Sequence, residues 1–326
     1  EGINGDDLRQ DQFLSRLLLI FWHTICNYLS LRKKMQTINL SKLVMSSYFI
    51  NLLEQEDIRF DQILTDNPYL AKEWNILCID GDLTSFFHKQ KKIKTWLLIL
   101  DQLNLQDVAP FVDLCFEKYY IIDARTWVSS FGKKISQEVN YLDSLVGNAI
   151  FPFDENYFIQ ALKSETSSVI FLTDQEVPEN IYASHTEEQL QIVDKALVEQ
   201  PQFISLLSPE NPSLFLIGTG NHLEELIKLS QFLSLHEQKI ALGVIGNLSV
   251  IKSLEFQQKF LSVKKIWILI DHTPTNFFSK FFSTNKEITL ITPKYQQLTS
   301  ISPDWAFTQT EFDAEALVER VLALLD

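Results

Sequence analysis

Glycine is scarce in this chain, at 9 of 326 residues, well under the usual ~7%. Loops that cradle phosphates or dinucleotides need it, because backbone N–H groups must approach the ligand closely and often at positive φ. Little equipment of that kind is present. Cysteine is scarcer still. Cys26, Cys78 and Cys115 form neither a CxxC pair nor an even set, which fits reduced, buried thiols of a cytoplasmic protein rather than a disulfide framework. Positive charge is also short. Against 42 Asp and Glu stand 28 Lys and Arg, for a net charge of −14 and a pI near 4.9. No basic stripe offsets this, so a phosphate backbone would be repelled and nucleic acid is not an expected partner. Long apolar runs are missing as well. The most apolar, Leu17 to Leu29, has 13 residues and contains His23 and Asn27. That is short of the ~20 needed to span a bilayer, and no membrane contact is expected. Glu1 to Gln12 is acidic and polar, unlike a secretory leader.

What is present is core material. Hydrophobic residues make up 46% of the chain and mean hydropathy is zero, which excludes a disordered or fibrous chain. Helical spacing of Leu14, Leu17, Leu18, Phe21, Trp22, Ile25 and Leu29 predicts a first helix. A second is expected from Asn39 or Ser41 through Leu43, Tyr48, Ile50 and Leu53. Ile58 to Ala71 reads as a short helix and a turn at Asn67-Pro68. From Trp74 the period changes. Asn75–Ile79, Thr95–Leu100, Tyr119–Ile122, Ala149–Phe151 and Ser168–Leu172 are short apolar runs with helix-like segments between several of them, as expected of strands buried on both faces of a largely parallel sheet. A second series, Ser213–Ile217, Ile240–Ile245, Lys265–Ile270 and Glu287–Ile291, alternates with helical patterns over 221–235, 249–262 and 313–325. The polar stretch 174–190 is the linker candidate.

The expected architecture is therefore α/β: two consecutive open, mostly parallel α/β domains behind a helical N-terminal segment. Its boundaries are 1–72 for the helical segment, 73–182 for the first α/β domain and 183–326 for the second.

The order of features over roughly 145–275 resembles the end of a transketolase-type thiamine diphosphate enzyme. Ala149-Ile-Phe-Pro-Phe-Asp-Glu-Asn156 is similar to the strand and "P-x-D" turn that close the family's pyrimidine-binding domain. The helix Tyr157–Leu162 and the strand Val169-Ile-Phe-Leu-Thr-Asp-Gln-Glu-Val-Pro178 follow in the family's order. Leu214-Phe-Leu-Ile-Gly-Thr-Gly-Asn221 resembles the opening strand of its C-terminal domain, and Ile268-Leu-Ile-Asp-His272 its strand ending in an acid and a histidine. On this resemblance, 73–182 is a shortened pyrimidine-domain-like unit and 183–326 the C-terminal-like one. Phe111–Glu117 and Phe131–Lys134 loosely resemble the segment carrying the cofactor-activating glutamate, which would make Glu117 the acid that hydrogen-bonds the aminopyrimidine. Asp80-Gly-Asp82 with Asn104 imitates the diphosphate-anchoring motif, but Leu83 stands where its second glycine belongs. Only about twenty residues separate Lys134 from Pro152, where the family has several dozen, and the chain is about half the length of a complete enzyme.

Each candidate also has a plainer role. Asp80 and Asp82 follow a strand, where they either hold a divalent cation or cap the next helix. Gly218-Thr219-Gly220 is not a dinucleotide fingerprint. It either receives an anion at a helix N-terminus or lets strand and helix pack closely. Asp271 and His272 form a possible acid–base pair, with His222 ending another strand. The rings Phe277, Phe278, Phe281 and Phe282 suit packing or a protein interface. No nucleophile elbow, HExxH, P-loop or Ser-His-Asp signature occurs, and no metal site is expected.

The expectation is a degenerate transketolase-like protein of the cytoplasm that is non-catalytic, carries no cofactor and acts through protein–protein association, as a homodimer or with another chain. The alternatives are one component of a two-chain enzyme using thiamine diphosphate and Mg²⁺, active only with its partner, or an unrelated small-molecule-binding α/β protein.

Overall fold

In a computed structural model of the chain, two compact units are distinguished, Glu1–Thr37 and Ile38–Asp326. The structure describes residues 37–79, 82–89, 93–101, 116–124, 149–172, 176–178, 203–207, 209–235, 239–252, 265–269, 287–291 and 314–325, with a few single positions between them. The first expected helix and the Phe277–Phe282 rings lie outside the described residues.

The described chain begins with strand β1 (Thr37–Asn39) and helices α1 (Leu40–Val44) and α2 (Tyr48–Gln55). Asn39 starts α1 by accepting the N–H of Lys42 at 2.9 Å, an ordinary N-cap. One continuous helix through Leu53 is not what forms; residues 45–47 separate two shorter ones. A second correction concerns Ile58–Ala71, where the expected helix is in fact strand β2 (Gln62–Thr65) followed by α3 (Pro68–Trp74). Asn67 caps α3 by accepting the N–H groups of Tyr69 and Leu70. Pro68 stands in the first turn, where its missing N–H costs nothing. Asn75, at φ 52°, ends the helix in the left-handed region, which asparagine tolerates.

The chain continues through β3 (Leu77–Cys78), α4 (Leu83–Lys89), β4 (Ile93–Leu100), β5 (Phe116–Asp123), β6 (Ala149–Ile150), α5 (Glu155–Lys163), β7 (Ser168–Phe171) and β8 (Glu176–Pro178). Six of these strands form one sheet in the order β3-β2-β4-β5-β7-β6, and every pairing in it is parallel. β8, within the expected linker, pairs with β1.

The second series is β9 (Phe203–Leu207), β10 (Leu214–Thr219), a 3-10 turn (Gly220–His222), α6 (Leu223–Leu235), β11 (Ile240–Ile245), a second 3-10 turn (Leu248–Lys252), β12 (Lys265–Leu269), β13 (Glu287–Ile291) and α7 (Ala314–Leu325). Its sheet order is β13-β12-β10-β11-β9. Four strands were legible in the sequence. The fifth, β9, runs antiparallel to β11 at the edge.

Period-two alternation sorts side chains between two cores. On β4, Leu97 and Ile99 enter one cluster while Trp96, Leu98 and Leu100 enter the other. On β10, Leu214 and Leu216 join the first, and Phe215 and Ile217 the second. Each core therefore runs without a break along one face of both sheets. Continuous apolar strands are the sequence mark of sheets covered on both faces.

Candidate functional site

In open α/β sheets, ligand sites form at the carboxyl ends of strands where the strand order reverses. The six-stranded sheet reverses between β2 and β4, because the chain moves outward from β2 to β3 and then returns to β4 on the other side. Thr65-Asp66-Asn67 and Asp101 line that crevice. Asp66 is buried. Its Oδ1 accepts the N–H of Asp101 at 2.7 Å and its Oδ2 the N–H of Leu103 at 2.6 Å. The Asn67 side-chain amide donates to Asp101 Oδ2 at 2.8 Å, and Thr65 Oγ1 accepts the Asn67 N–H at 3.1 Å. The polar groups of the crevice thus face one another. Asp123, at the end of the adjacent β5, is also buried. These acids were missed from the sequence, although the signal was there: Ile63-Leu-Thr-Asp66, Ile99-Leu-Asp101 and Ile121-Ile-Asp123 each end a strand in aspartate.

The second sheet reverses between β10 and β12. Gly218, Thr219 and Gly220 close β10 there and all three are buried. A Cβ on Gly218 would meet the Leu226 side chain of α6, and one on Gly220 would meet the backbone carbonyl of Phe151. Thr219 makes no side-chain cap bond to the turn it precedes, and its buried Oγ1 has no hydrogen-bond partner. His222 and Glu225 are buried one helical turn apart. Gly246 faces the rings of Phe153 and Tyr157, which stack with centroids 4.5 Å apart. Across this seam the Phe151 N–H donates to the Gly246 carbonyl at 2.7 Å, and Ile150 bridges Asn247 in antiparallel fashion. The segment following β6 covers the carboxyl edge of the second sheet.

Of the residues that the resemblance links to a cofactor, Asp82 and Glu117 are described. Asp80, Asn104, Asp271 and His272 lie outside the described residues. Asp82 is exposed and accepts the N–H of Ser85 at 3.0 Å in the first turn of α4. Hydrogen bonds from the Ser85 side chain and backbone hold its carboxyl below the ordinary value of 3.8. Glu117 is exposed near the amino end of β5. In register, Cys78 of β3 is level with Thr65, Ile99 and Ile122. Five residues of strand separate Ile122 from Glu117, roughly 16 Å at ~3.3 Å per residue. Asp82 precedes α4, whereas Glu117 lies near the amino end of β5.

No family model matches the sequence, and no curated protein does. Solved structures do match. Transketolase from Pichia stipitis, as its R525L mutant, superposes with a TM-score of 0.51 at 17% identity, over 70% of this chain and 33% of that one. Transketolase from Campylobacter jejuni gives 0.50 at 12% identity, over 70% and 36%. A split-gene transketolase described as an inactive beta4 tetramer gives 0.57 at 11% identity, over 83% of this chain and 94% of that one. The chain has a transketolase-like fold. It spans about a third of the length of the Pichia and Campylobacter transketolases and corresponds to almost all of the split-gene chain. Among the described residues of this transketolase-like chain, no helix is long and apolar enough to cross a membrane. Nor do three His, Cys, Asp or Glu side chains gather there as a metal site.

Proposed function

We propose that this transketolase-like chain performs no chemistry alone and acts in the cytoplasm by associating with protein, as a homodimer or with a second, different chain. The observation that carries this reading is the closure of both crevices by the chain's own groups. Asp66 holds the N–H groups of Asp101 and Leu103 in one, and the Phe151 carbonyl occupies the room beside Gly220 in the other. Scarce glycine and a net charge of −14 agree, since neither favours a phosphate-bearing ligand.

A second reading has its own observation. This chain matches 94% of the length of the split-gene transketolase chain, as expected of one half of a two-chain enzyme. In that case the partner would supply the metal and diphosphate ligands for thiamine diphosphate and Mg²⁺.

Thermal unfolding of the purified chain with and without thiamine diphosphate plus Mg²⁺, with light scattering for mass, tests both. The first reading expects an unchanged midpoint, with a mass at least twice 37.8 kDa if the chain forms a homodimer. A ligand at a hundredfold over its Kd adds about 2.7 kcal/mol of apparent stability, so a clear rise for the chain alone overturns it. A rise seen only with a second chain added decides for the two-chain enzyme.

A further inference from the structure

We draw no further inference here: the strongest candidate, the buried Thr219 hydroxyl at the head of α6 where the strand order of the second sheet reverses, carries nothing, because the Phe151 carbonyl already fills the space beside Gly220 and nothing in the structure shows what the hydroxyl would hold.

Discussion

Phe151 and Gly220 meet backbone to backbone: the carbonyl of Phe151 stands where a side chain on Gly220 would begin. One residue from each α/β half thereby sets how closely the end of β6 approaches the end of β10. The Phe151 N–H, bonded to the Gly246 carbonyl, fixes the same approach from the other side.

Gly220→Ala is expected to destabilise the protein by about 3 kcal/mol, the upper end for overpacking, because a main-chain carbonyl cannot rotate away. Gly246→Ala should cost less, about 1 kcal/mol, since it meets ring edges at 2.8 Å that can shift. Urea unfolding of the two variants checks the order. Equal losses would mean that the Phe151 contact does not govern the seam.

Asp154 caps α5 from a buried position, its Oδ1 accepting the Tyr157 N–H at 2.7 Å. Asp154→Ala should lower stability by about 1–2 kcal/mol, while Asp154→Asn, which keeps an acceptor, should retain most of it. Denaturation midpoints of both variants distinguish the cap from simple loss of volume.

Removing the Asp66 carboxylate leaves two N–H groups without their acceptor. Asp66→Ala is expected to cost about 2 kcal/mol, the low end of roughly 1–3 for each of the two groups, because both bonds are only part-buried. Its specific mark is faster hydrogen exchange at the amides of Asp101 and Leu103. Unchanged exchange there would show that the clamp does not restrain the chain after β4.

The Asp82 carboxyl should titrate below 3.8. A folded-state pKa lower than the unfolded one means that the carboxylate favours the fold above about pH 4, and that this contribution disappears as pH falls through the folded value. NMR titration of the carboxyl carbon reads the midpoint directly. Asp82→Asn should keep α4 while removing this part of the acid dependence, and a midpoint at or above 3.8 would contradict the cap.

Much of the architecture was determined by the sequence alone. Runs such as Trp96–Leu100 and Ile240–Ile245 are apolar at every position, so both faces must be buried, and their alternation with helical patterns specifies a mostly parallel sheet. The cap at Asp154 and the turn at Asn67-Pro68 are equally local, since each side chain bonds to N–H groups two or three residues away. What was misread depended on distant partners. Gln62–Thr65 has only four residues and no decisive period, and it becomes a strand because β3 and β4 pair with it from both sides. The antiparallel run of β9 likewise rests on its pairing with β11.

The candidate site divides the same way. That Gly218 and Gly220 close a strand is legible in the chain. That one receives Leu226 and the other the Phe151 carbonyl, some seventy residues earlier, is not. Asp66 and Asp101 are 35 residues apart in sequence, and only the reversal of strand order brings them together. Local composition chose the elements because their hydrogen bonds and periodicity are short-range. The tertiary structure alone decided which polar groups meet at the ends of the strands, because that depends on sheet order, which no local pattern encodes.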